Sequence, residues 1–147
     1  MSIPLIFLGL LLGAIMSIYI PMISQTARLM GSGPLANVPF FFIAFVTSLV
    51  VAFATGNRAA EFGKIFNLPL LPLTAGIMSA GMIIGTSFLI PRVGIGTFFV
   101  LAVSGQVIAG MIFGQLGLFG APQTTITLAK LAGVAFVIGG VWLTTFR

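Results

Sequence analysis

Apolar residues fill this chain in long unbroken runs separated by four short polar stretches. The runs are Ile3 to Ile23, Val38 to Ala54, Leu68 to Ile90, Val93 or Gly94 to about Leu116, and Ile126 to Phe146. A hydrocarbon core about 30 Å thick needs roughly 20 apolar residues in a helix. In lipid the backbone must satisfy its own hydrogen bonds, so each run is read as a helix. Strict apolar–polar alternation, the mark of a membrane barrel, is absent from the runs. The pattern predicts an all-α, polytopic membrane protein. Its single transmembrane domain, 1-147, has spans at about 3-23, 38-54, 68-90, 94-116 and 126-146. Asn37 is expected to cap the second span, with Pro39 in its first turn, where a missing N–H does no harm. The first run lacks a basic amino end and is too long for a signal peptide, so it is expected to be a retained helix.

The linkers are short. Ser24 to Asn37 carries Arg28 and the turn formers Gly31-Ser32-Gly33-Pro34. Thr55 to Asn67 holds Arg58, Glu61 and Lys64. Pro91-Arg92 reads as a hairpin tip, and 117–125 includes Gly120-Ala121-Pro122. None could hold a soluble domain, so the activity is expected inside the bilayer.

Composition sharpens this picture. Of 147 residues, 59% are hydrophobic and 5% charged, against about a quarter charged in a soluble domain. Neither a soluble fold nor a disordered chain fits. Without cysteine or histidine there is no disulfide scaffold, thiol nucleophile or Ser-His-Asp triad, and no metal site or cofactor is expected. The net charge of +5 comes from Arg28, Arg58, Lys64, Arg92, Lys130 and Arg147. They are scattered singly, which argues against nucleic acid, and lie near the ends of runs, where basic side chains reach lipid headgroups.

Five spans place the termini on opposite sides. The amino-terminal side then carries Arg58 and Lys64, with Lys130 about 7 Å into the fifth helix. The other side carries Arg28, Arg92 and Arg147. A lysine and arginine excess on one side orients a membrane protein, and here there is none. One reading is that something else sets the orientation. The other is dual topology: two copies inserted opposite ways up form an inverted pair, the arrangement many transporters build within one chain.

Candidate chemistry lies with polar residues inside the spans. The only acidic side chain, Glu61, is expected as a solvated loop charge beside Lys64. Gln106, beside Ser104 and Gly105, sits in mid-span, where an amide facing lipid would cost several kcal/mol. It is expected either to bond a neighbouring helix or to face a cavity. Ser79 and Thr86 lie seven apart on one face of the third span, although each hydroxyl can bond its own helix instead. Tyr19 stands two residues before Pro21, an expected kink, or else belongs to an interfacial belt, as Trp142 is expected to do. Phe99 and Phe113 would supply apolar walls. Gly105 and Gly110 permit close helix packing, while Pro91, Gly94 and Gly96 permit bending. GxxxG occurs as Gly9/Gly13, Gly81/Gly85 and Gly110/Gly114, but with 19 glycines roughly two or three such pairs arise by chance.

Pro91-Arg92-Val93-Gly94, Gly105-Gln106 and Gly117-Leu118-Phe119-Gly120, followed by Gly133 and Gly139-Gly140-Val141, carry a family likeness. In these the chain resembles the five-helix YdcZ-like proteins of the bacterial drug/metabolite transporter superfamily. The likeness spans essentially the whole chain and is closer from Leu68 onward. The fourth and fifth spans are also similar to the last two helices of small multidrug resistance proteins. The resemblance implies a drug/metabolite transporter-like bundle in the bacterial inner (cytoplasmic) membrane. It implies function as an antiparallel pair of chains, formed with a second copy, with a paired homologue or by fusion. Three departures stand out. The first helix lacks the glutamate of small multidrug resistance proteins. Tyr19 and Ile23 stand where the family often has glutamine and asparagine. Gly114 stands where it often has an acid.

The expectation is therefore a small transporter acting by alternating access as an antiparallel homodimer in the lipid bilayer. Gln106, Ser79, Thr86, Tyr19, Phe99, Phe113 and Ser104 would bind a small-molecule substrate, which the sequence does not name. The alternative is a non-transporting scaffold or accessory subunit. Enzymatic activity on lipid or glutathione conjugates lacks the residues it would need.

Overall fold

The structure, a computed structural model, describes residues 3–120 and 122–146. Ala121 of the fourth linker and Arg147 of the basic set lie outside the described residues. Five α-helices make up most of the described residues: α1 (Ile3–Met30), α2 (Gly33–Ala54), α3 (Leu70–Val93), α4 (Ile95–Leu116) and α5 (Leu128–Phe146). Short 3-10 helices occupy Ala59–Asn67 and Leu118–Gly120. The described residues are 89% helical and include no strand, and all five long helices are apolar enough to cross a membrane.

The membrane runs are where the sequence places them, but several helix ends are not. α1 continues past Ile23 to Met30. The apolar run ends there, but the helix does not. Gln25 to Met30 includes good helix formers and no glycine or proline. At 28 residues, α1 is about 42 Å long, beyond the ~30 Å apolar core. Ile20, Ile23, Ser24 and Ala27 are buried at i, i+3, i+4, i+7 spacing, a single face running on through the expected linker.

That linker shrinks to two residues. Gly31 (φ +69°) ends α1: its N–H bonds Arg28 O at 3.3 Å, and the Ser32 N–H bonds Ala27 O at 3.1 Å. These are the two bonds of a Schellman stop, which needs a left-handed residue at Gly31. Ser32 then opens α2, its hydroxyl accepting from the Leu35 N–H at 3.3 Å, with Pro34 close behind. The cap is therefore Ser32 and not Asn37, and Pro39 lies inside the helix rather than in its first turn. The Ser32-Gly33-Pro34 signal outranks Asn37-Val38-Pro39 because it directly follows the stop.

Two further boundaries differ. α3 begins at Leu70 and runs through Pro91 and Arg92 to Val93, so Pro91-Arg92 is helical and not a hairpin tip. The break falls at Gly94 (φ 82°, ψ 159°), a region of backbone space essentially reserved for glycine. α5 starts at Leu128, two residues later than expected. The Thr55 to Asn67 linker is itself structured as the 3-10 helix Ala59–Asn67, in which Lys64 and Glu61 pair at 3.3 Å.

The chain divides into two compact units at Arg92/Val93. In the first, α1 packs along α2, and the Asn37 side-chain N–H donates to the Ala80 carbonyl at 3.1 Å, tying α2 to α3. In the second, α4 packs along α5. The Gln115 side-chain carbonyl accepts from the Ile126 N–H at 2.9 Å, and the Thr124 N–H bonds Gly114 O at 2.9 Å. A side chain at position 114 would meet Thr124 Oγ1 at 2.7 Å, so a glycine suits this turn.

Candidate functional site

In the first unit, Tyr19 on α1 lies against Phe40 on α2, ring centroids 6.2 Å apart and planes 11° from parallel. Phe40 in turn meets Phe41 edge-on at 5.1 Å. A crevice of about 270 Å³ opens beside this stack, lined by Tyr19, Thr26, Ala36, Pro39, Phe40 and Ile43. Its walls are almost wholly apolar. The Thr26 hydroxyl is taken up by Met22 O at 3.0 Å. The Tyr19 hydroxyl is then the polar group best able to address a ligand there. An apolar crevice with an aromatic wall and few polar groups is the usual make-up of a small-molecule site.

The other side of Tyr19 closes a smaller cavity of about 60 Å³ between α1 and α3, lined by Met16, Ile20, Ile23, Met82, Ile83 and Thr86. Thr86 is buried, and its hydroxyl donates to Met82 O at 2.8 Å. With that bond made, the pocket offers water little, and apolar cavities of this kind stay dry. Tyr19 and Thr86 thus line one cavity. Ser79 does not join them: it is exposed, and its hydroxyl bonds its own helix at Ala75 O, 2.9 Å away.

The remaining expected residues belong to the second unit. Gln106 is exposed at the middle of α4, while Ser104 is buried and bonds Val100 O. Two residues apart on a helix is about 200°, so the two cannot share a face. Phe99 is half-buried and meets Phe98 edge-on at 5.2 Å; Phe113 is exposed and meets Phe119 at 5.7 Å. A side chain at Gly96, Gly105 or Gly110 would touch nothing within 4 Å, so these glycines are not close-packing points within their own unit. The same holds for Gly9, Gly13, Gly81 and Gly85.

Sequence reasoning missed three residues whose polar side-chain atoms are buried. Ser24, Asn37 and Ser87 lie on α1, α2 and α3, and Ser24 Oγ, Asn37 Oδ1 and Ser87 Oγ have no hydrogen-bond partner. Hydropathy alone places Ser24 and Asn37 at the ends of a linker. The signal that could have found Ser24 is the continuing period Ile20, Ile23, Ser24, Ala27. Among the described residues no cluster of metal-ligating side chains occurs.

The fold and its apolar crevice define an all-helical, five-span integral membrane protein. The chain belongs to a specific family within that class: a family model described as "Putative inner membrane exporter, YdcZ" matches residues 4–143. This places it in the inner membrane. No curated protein and no solved structure matches it.

Proposed function

We propose that this chain exports a small molecule by alternating access, as an antiparallel homodimer of copies inserted opposite ways up. Membership of an inner-membrane exporter family supports the transport half of this reading. One observation carries the pairing half: within the α4–α5 unit Gln106 stands exposed at the centre of a span. An uncovered amide at that depth costs several kcal/mol, so a second surface must meet it in the membrane. A second copy can do so. The uncrowded Gly9/Gly13 and Gly81/Gly85 pairs leave room for a close helix approach. The even sharing of basic residues between the two faces favours neither insertion.

In this mechanism the substrate binds in the apolar crevice against the Tyr19–Phe40 stack, and Gln106 acts separately, as a polar group on α4. Two identical chains in opposite orientations make the inward-open and outward-open states equal in energy, so substrate gradients alone set direction unless an ion is coupled. The sole acidic side chain, Glu61, lies outside the spans, so coupling through a buried carboxylate is not part of the proposal.

The test uses the absence of cysteine. A single Asn57→Cys substitution is labelled in intact cells with a membrane-impermeant thiol reagent, before and after permeabilisation. About half the copies should label from outside; labelling from one face only refutes dual topology. Gln106→Ala should abolish export while the chain still inserts. Unchanged export would instead favour an accessory role, with Gln106 merely packing.

A further inference from the structure

The end of the first unit opposite the Thr55 to Asn67 linker carries a second crevice, about 370 Å³, lined by Arg28, Ser32, Gly33, Ser87, Phe88 and Arg92 among others. From it we infer a binding site for a phosphate group, and for that of an anionic phospholipid in particular. Arg28 and Arg92 occupy the last turns of α1 and α3, so two guanidinium groups converge on one opening. The chain cannot neutralise them with an acidic side chain. Its only one, Glu61, pairs with Lys64 beyond the far end of α2, a helix of 22 residues and hence about 33 Å long. That is several screening lengths away at physiological salt. No acidic side chain of the chain is within reach of them.

The rest of the lining suits a phosphate. Arg92 is held in place, one guanidinium nitrogen donating to Phe88 O at 2.6 Å and its Cζ lying 3.4 Å from the centroid of the Phe88 ring. The remaining N–H groups stay available, and guanidinium binds phosphate through paired donors. Ser87 Oγ is buried without a partner, and Ser32 accepts at its oxygen from Leu35 N–H, leaving its own O–H to donate. The α2 terminus contributes little, since Pro34 has no N–H and the Leu35 and Ala36 N–H groups already bond Ser32. The depth favours a lipid: both arginines stand where apolar spans end, at the level of headgroups. The site stands independently of transport.

The purified full chain in neutral detergent is titrated with phosphatidylglycerol, with phosphatidylcholine and separately with inorganic phosphate. Retained lipid is read by native mass spectrometry, and stabilisation by thermal melting. Phosphatidylglycerol should bind best, weakening about fivefold for Arg28→Gln or Arg92→Gln, the equivalent of ~1 kcal/mol for each basic group near an anionic surface. Arg58→Gln, at the opposite end, should leave binding unchanged. An equal arginine-dependent response to inorganic phosphate supports the site with a soluble phosphate compound as its occupant. Wild-type lipid retention in the Arg28→Gln/Arg92→Gln double variant overturns the inference, as does an equal loss in Arg58→Gln. Arg28 is exposed, so its single variant serves if the double variant does not fold.

Discussion

The backbone at Gly94 offers a clean measurement, because its cost is conformational alone. A Cβ at position 94 would meet nothing within 4 Å, yet φ is 82° and ψ 159°. Holding a non-glycine residue there costs about 1–3 kcal/mol. An alanine also narrows the unfolded ensemble, which recovers about 0.4–1 kcal/mol. At mid-range Gly94→Ala should therefore lose about 1.3 kcal/mol, roughly a ninefold shift in the folding equilibrium. Gly96, two residues on, is the control. It is equally open but sits in α4 without a positive φ, so Gly96→Ala should gain about 0.5–1 kcal/mol. The assay is reversible unfolding in mixed micelles titrated with sodium dodecyl sulfate, followed by far-ultraviolet circular dichroism. Opposite signs for the two variants are the expected result. A neutral Gly94→Ala, or equal losses at both positions, refutes the reasoning.

Further expectations use the same assay. Asn37→Leu removes the bond to Ala80 O but also the unpartnered Oδ1, so the loss should stay near the ~0.6 kcal/mol average of inter-helix bonds in membranes. A loss above about 2 kcal/mol would mean Asn37 does more than tie two helices. Ser32→Ala should cost about 1 kcal/mol through its cap, and Ser32→Asp should retain most of that stability. Glu61→Gln breaks an exposed ion pair and should move the midpoint by no more than about 0.5 kcal/mol, less again in high salt. In export assays, Tyr19→Phe should keep the stack with Phe40 and lose only the hydroxyl, whereas Tyr19→Ala should lose activity outright; equal activity in all three forms would remove Tyr19 from the binding crevice.

The number of spans, their approximate positions and their helical nature followed from sequence alone. Lipid permits so few backbone solutions that an unbroken apolar run of about 20 residues has essentially one reading. Membrane exit and helix end are different events, however, and hydropathy reports only the first. Hence α1 and α3 outlast their apolar runs, and Ser24, Asn37 and Arg92 turned out to lie on helices. Local signals could have corrected this: Gly31 followed by Ser32 spells a stop and a start.

The site was only partly legible, since helices that are apolar all round carry no facing information. Tyr19 and Thr86 share a cavity, whereas Ser79 bonds its own backbone and Ser104 and Gln106 fall on opposite faces of α4. Which residues meet depends on how the helices are rotated against each other, and rotation is fixed by packing at particular positions. The Tyr19–Phe40 stack and the crevice holding Arg28 and Arg92 are products of that packing. Composition settled that the chain lives in lipid; only the tertiary arrangement decided which of its few polar groups stand together.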